Sequence, residues 1–127
     1  MVPVHDWNFA TVLECALNHL HVSDIVICGH SECDAIKALD QETDDVYIPL
    51  WLNNAQGAKD RIDKKLQKPV TPDKVKERSR MIEEENVRLH IEHLKKYPIV
   101  KNALIKNQIR IHGLYHNLET GELTGNI

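Results

Sequence analysis

Apolar residues recur with a helical period at Phe9, Val12, Leu13, Ala16, Leu17 and Leu20. This predicts an amphipathic helix of about three turns, capped by Asp6 or Asn8. The pattern then changes. Ile25-Val26-Ile27-Cys28 is an unbroken apolar run, and a run without alternation predicts a strand buried on both faces of a parallel sheet. Beyond Gly29 a helix is expected from Cys33 to Leu39, followed by an acidic, solvated loop from Asp40 to Asp45. Leu52, Ala55, Ala58, Ile62 and Leu66 line one side of a second helix, Pro49 to Leu66. Thr71-Pro72-Asp73 opens a long, charged helix that ends near Tyr97-Pro98, with threonine as cap and proline just inside. Val75, Ile82 and Leu89 repeat every seven residues along it, joined later by Val87, Ile91 and Leu94. So narrow a stripe predicts packing across a domain surface or subunit boundary, with the charge run from Lys74 to Glu85 as its solvated face.

A short helix, Pro98 to Lys106, leads into the strand Ile109 to Tyr115, where Ile109 and Ile111 alternate with polar residues. Alternation predicts a strand that is half exposed or near an edge. Glu119-Thr120-Gly121-Glu122 reads as a turn, giving a closing hairpin. The order of elements predicts an α/β fold with a right-handed crossover, a parallel-core sheet flanked by helices and a C-terminal hairpin. One neighbour for the Ile25 strand is missing: a strand this apolar calls for pairing on both sides, and the chain offers it on one.

Length and composition narrow the class. With 127 residues, 42% hydrophobic and 28% charged, the chain suits one domain over residues 1–127. A net charge of −3 gives no electrostatic reason to expect nucleic acid. No run approaches the roughly 18 apolar residues of a membrane span, and Met1 to Asp6 lacks the features of a signal peptide. A cytoplasmic location is the expectation. Three cysteines, Cys15, Cys28 and Cys33, are too few and too odd in number for a disulfide framework.

The chemistry concentrates in Cys28-Gly29-His30-Ser31-Glu32-Cys33. His30 and Cys33 are separated by a turn at the carboxyl end of a strand, a common spacing for metal ligands, and imidazole and thiolate are both zinc donors. Cys28 sits within the strand and reads as packing beneath its end; Cys15, inside the first helix, reads as core or interface. A nucleophilic Cys33 with His30 as base is the competing chemistry. Glu32 and Asp34 flank the thiol and argue against it, since neighbouring carboxylates disfavour the thiolate. Trp7 and Trp51 read as packing or interface anchors, and most of the eight histidines as surface residues.

At Cys28-Gly29-His30-Ser31-Glu32-Cys33 the sequence resembles the β-class carbonic anhydrases, whose corresponding segment is of the Cys-Gly-His-Ser-Asp-Cys-Gly-Ala type. Leu13-Glu14-Cys15-Ala16-Leu17, Glu85-Asn86-Val87-Arg88-Leu89, Leu94 to Pro98 and Ile111-His112-Gly113-Leu114-Tyr115 fit the family in the same order. The resemblance implies a zinc-dependent lyase that interconverts carbon dioxide and bicarbonate. His30 and Cys33 would be two of three protein ligands, water made acidic by the metal would be the nucleophile, and the chain would form homodimers or higher oligomers. The family's upstream Cys-x-Asp-x-Arg segment, which carries the remaining ligand, has no counterpart, so the chain is expected to correspond to the C-terminal two-thirds of a member, without its N-terminal strands. Asp34 stands where the family favours glycine, His90 where glutamine is common, and His116-Asn117 where Tyr-Asp is common. A third ligand would come from Cys28, Asp34 or another subunit. The alternative is a non-catalytic member acting as an oligomerising or regulatory subunit.

Overall fold

The computed structural model describes residues 1–127. Helix α1 (Trp7–Glu14) is capped by Asp6, whose Oδ1 accepts from the Phe9 amide at 2.7 Å. It runs on as a π-helical turn over Cys15–His19. Strand β1 (Asp24–His30) follows, then α2 (Asp34–Ala38), α3 (Tyr47–Asp63), α4 (Pro72–Lys95), α5 (Pro98–Ile105), β2 (Arg110–His116) and β3 (Leu123–Gly125). Thr71 caps α4 by accepting from the Lys74 amide, with Pro72 where its absent N–H costs nothing.

The sheet has the order β1-β2-β3. β1 and β2 run parallel, with Ile25 opposite Ile111, Ile27 opposite Gly113 and Gly29 opposite Tyr115. β3 returns antiparallel, Tyr115 opposite Thr124, after a turn in which Gly121 takes φ 75°. β2 is thus the central strand rather than an edge, and β1 is the edge, as the missing neighbour predicted.

Ile25, Ile27 and Ile111 point to the helices and pack with Leu13, Leu94 and Val100 from α1, α4 and α5. A second cluster joins Ile36 of α2, Ala55, Ala58 and Ile62 of α3 and Ile82 and Leu89 of α4. The opposite face of the sheet is open. Val26, Cys28 and His30 are exposed, so β1 is buried on one face only and the two-faced burial read from its apolar run is corrected. Cys28 accordingly does not pack beneath the strand, and Cys15 is exposed rather than core. Trp7 is 91% exposed and anchors nothing within the chain.

The largest departure concerns α4. Lys74, Lys76 and Glu77 are solvated as expected, but the second half of the helix is buried against α3 and both long strands, and Glu83, Glu85, His90 and His93 are buried with it. The approach to the sheet is made possible by two glycines. A Cβ on Gly29 would lie 2.6 Å from Val87 Cγ2, and one on Gly113 would lie 3.1 Å from Val87 Cγ1. Arg78, near the start of α4, donates to Asp63 at 2.8 and 3.0 Å and to Asp40 at 2.7 and 3.1 Å. It ties the segment just after α2 and the end of α3 to α4.

Two outcomes follow for stability. Gly29→Ala should cost about 1–3 kcal/mol in urea unfolding, the usual penalty of overpacking. Combined with Val87→Ala the loss should fall short of the sum, since the second change removes the methyl that the first collides with. The Arg78 hydrogen bonds hold the Asp63 carboxyl at about 2, below its ordinary 3.8. Its contribution is therefore complete above about pH 4 and is lost as pH falls toward about 2. Asp63 is a third exposed, so Asp63→Asn should flatten this acid limb of the stability profile by less than about 1 kcal/mol.

Candidate metal centre

The chain leaves β1 through a short, left-handed turn. The Ser31 amide donates to the carbonyl of His116 at 2.9 Å, extending the parallel pairing past the strand end. Glu32 then takes φ 55°, a region that costs a non-glycine residue of order 1 kcal/mol. Lys37 holds the Glu32 carboxylate from the next turn of α2. The chain direction reverses here, and Cys33 becomes the N-cap of α2.

His30 Nδ1 lies 2.8 Å from the carbonyl oxygen of Ser31. A carbonyl can only accept, so Nδ1 carries the proton and Nε2 keeps its lone pair. This tautomer is the one that second-sphere contacts impose on metal-binding histidines. Cys33 is half-buried, its thiol in no disulfide, and its backbone amide donates to Glu83 Oε1 at 3.1 Å. The other oxygen of Glu83 accepts from the Tyr115 hydroxyl at 2.8 Å. Burial, reinforced by the Glu83 carboxylate, pushes the Tyr115 phenol well above its usual range, so it stays a donor. The Arg80 guanidinium sits 5.6 Å above the Tyr115 ring, a cation–π contact.

His30 and Cys33 line one cleft of about 540 Å³. Asp34 and Cys28 line it too, while Val26, Ile36, Trp51 and Val87 make it largely apolar. Trp51 is thus a half-exposed wall of this cleft. No three His, Cys, Asp or Glu side chains converge closely enough to hold a metal ion. Imidazole and thiolate are both zinc donors by type, and neither Cys28 nor Asp34 joins His30 and Cys33 in a set of three.

Asn86 and His90, one turn apart on α4, line the same cleft. His90 is buried, its Nε2 is 3.1 Å from Met1 Sδ, and its Nδ1 has no protein partner; neither has Asn86 Oδ1. Such unpartnered buried atoms are uncommon. Beside His90, His93 donates from Nδ1 to the Val2 carbonyl at 2.9 Å. Glu83, Tyr115, Asn86 and His90 were not selected from the sequence. The i, i+3, i+7 spacing of Glu83, Asn86 and His90, which puts them on one face of a helix, was the available signal.

This is an α/β fold with a polar cluster at the carboxyl ends of parallel strands, where such folds carry their chemistry. The family model for carbonic anhydrase matches residues 1–123. The carbonic anhydrase of Synechococcus elongatus is 33% identical over 115 residues, covering 87% of this chain and 41% of that protein. A Helicobacter pylori carbonic anhydrase is 29% identical over 117 residues, covering 87% of this chain and 52% of its own length. Among solved structures, a tetrameric β-carbonic anhydrase from Sordaria macrospora superposes with a TM-score of 0.85 at 26% identity, covering all of this chain and 66% of that one. The Coccomyxa β-carbonic anhydrase, solved in complex with acetazolamide, gives 0.84 at 25% identity, over 98% of this chain and 55% of that one. The chain belongs to the β-carbonic anhydrase family. It spans about half the length of the curated relatives it matches.

One outcome can be checked without any ligand. Burial, with smaller contributions from the positive chain start and His93, lowers His90 from the ordinary 6.5 to about 4. A histidine depressed in the folded state contributes stability that is complete above about pH 6.5 and is lost as pH falls through 4. The whole loss is of order 3 kcal/mol. Chemical denaturation across this window should show it in the native chain, and His90→Gln should remove most of the slope.

Proposed function

We propose that this chain binds zinc through His30 and Cys33 and takes part in the reversible hydration of carbon dioxide to bicarbonate. The observation that carries the reading is the pairing of donors in one cleft: an imidazole with Nε2 free because Nδ1 is committed to the Ser31 carbonyl, and a thiol whose backbone is anchored by Glu83. Family membership supports the reaction class. Zinc, when bound, supplies the positive charge that makes water acidic near neutral pH.

The remaining work falls to the chain itself. His30 presents Nε2 and Cys33 presents Sγ, both from backbone that is hydrogen-bonded before any metal arrives. Val26, Ile36, Trp51 and Val87 give carbon dioxide, which has no dipole moment, an apolar wall to lie against. Two protein donors hold zinc far more weakly than a closed site, so further donors from a second subunit or another segment would complete it. Homo-oligomerisation fits this reading, and the Sordaria relative is described as tetrameric.

Zinc content of the purified chain, read beside stopped-flow carbon dioxide hydration, tests the proposal. Zinc approaching one per chain and measurable hydration are expected. His30→Ala and Cys33→Ser should each lower zinc affinity by roughly 100-fold or more and abolish hydration. A chain that stays inert when saturated with zinc would replace this reading by that of a non-catalytic, oligomerising or regulatory family member.

A further inference from the structure

Glu83 is a costly residue where it stands. It is 4% exposed, and a carboxylate removed from water loses several kcal/mol of hydration unless its lone pairs find donors. No cation bonds to it: its donors are the Cys33 amide at 3.1 Å and the Tyr115 hydroxyl at 2.8 Å. A hydrocarbon side chain would serve the packing of α4 better. What the carboxylate does achieve is specific, because it joins three elements at one backbone atom.

That atom is the amide of an N-cap. The N–H of an N-cap residue has no helical acceptor, and in a capping box a glutamate three residues on supplies one. Here the acceptor comes from 50 residues away. The amide it holds follows Glu32, the strained left-handed residue of the turn. Tyr115, 2% exposed, occupies the register position opposite Gly29 on β2, and its ring edge lies 3.9 Å from where a Gly29 Cβ would be. The tyrosine thus lies in ordinary contact distance of β1, beside the turn, where its hydroxyl meets Glu83. A rigid chain runs from β2 through Tyr115 and Glu83 to Cys33.

We propose that Glu83 and Tyr115 are positioning residues for Cys33: the tyrosine hydroxyl orients the carboxylate, the carboxylate fixes the Cys33 amide, and the sulfur is held in the cleft lined by His30 before metal enters. The purpose of the arrangement rests on the reading of Cys33 as a metal ligand. With Cys33 already fixed, metal binding carries no cost for ordering the turn, so loss of Glu83 appears as lost affinity.

The test uses the full chain and cobalt(II), whose thiolate-to-metal charge-transfer absorption reports sulfur ligation directly. Glu83→Ala and Tyr115→Phe should weaken cobalt binding roughly 10–100-fold and roughly 10-fold, respectively. Both should speed hydrogen exchange of the Cys33 amide in the metal-free protein. Glu83→Gln, which keeps an oxygen acceptor for that amide, should restore most of the affinity. Leu94→Ala, a core truncation on the same helix remote from the turn, should lower stability and leave the absorption and affinity unchanged. If Glu83→Ala does not fold, Tyr115→Phe removes only a hydroxyl and carries the same comparison. Wild-type absorption and affinity in the Glu83 and Tyr115 variants would overturn the positioning role alone. A native chain with no thiolate band, indistinguishable from Cys33→Ser, would overturn the ligand reading and this proposal with it.

Discussion

The close approach of α4 to the sheet is the constraint on which the rest depends. It requires side-chain-free positions at Gly29 and Gly113, one on each parallel strand, with Val87 seated between them. Only at this separation does a glutamate on α4 reach both the end of β1 and a tyrosine on β2. The same seating brings Asn86 and His90, flanking Val87 on the helix, to the wall of the cleft. Packing and site geometry are one arrangement here. A methyl group added at Gly29 would disturb the core and the turn to Cys33 together.

Much of this was legible in the chain. Thr71-Pro72, the apolar period of α3 and the turn around Gly121 each fixed an element through local chemistry, and the structure agrees to within a few residues. His30 and Cys33 were legible because their residue types are few and their spacing is tied to a strand end. What escaped was burial imposed by tertiary contact. Glu83 and Glu85 sit in a run of alternating charge, indistinguishable by composition from a solvated face. One is held by an amide and a hydroxyl, the other by Arg61 at 3.1 Å and Arg88 at 3.0 Å. None of those donors is near enough in sequence, Arg88 apart, to announce the pairing. β1 misled in the opposite direction: Val26 and Cys28 are apolar yet exposed, because the sheet is covered on one face only.

The one-sided sheet also sets the electrostatic character of the region. Around the amino end of β1, Asp24 accepts from Arg110 at 2.9 and 3.1 Å and from His112 at 2.7 Å, all near solvent. The Arg110 hydrogen bond, then Ser23 and His112, hold the Asp24 carboxyl well below the usual range. Ion pairs this exposed contribute little. At the carboxyl end the costly group is Glu83, buried and held by neutral donors. The two ends of the same strand thus differ: one is a solvated charge cluster, the other adds to an exposed Glu32–Lys37 pair a desolvated framework of Glu83 and Tyr115 behind the turn.

That contrast locates where the fold gives up stability. Four ionisable residues of α4 are buried. Glu83, Glu85 and His93 have hydrogen bonds of 3.1 Å or shorter to groups that suit them. His90 alone keeps a buried nitrogen without a protein partner. If these residues were buried merely because a helix had to be covered, unsatisfied atoms would be expected anywhere along the buried face. Instead both unpartnered atoms, on His90 and Asn86, belong to residues lining the cleft that His30 and Cys33 share. An unmet hydrogen bond costs about 1–3 kcal/mol, so the fold bears its largest polar penalties at the cavity where its donors gather. Strain at Glu32 adds to the same place. Core packing of α4 against two glycine-bearing strands is what holds such a region together, and Val87, which makes it, lies one helical turn from the Glu83 that holds the Cys33 amide.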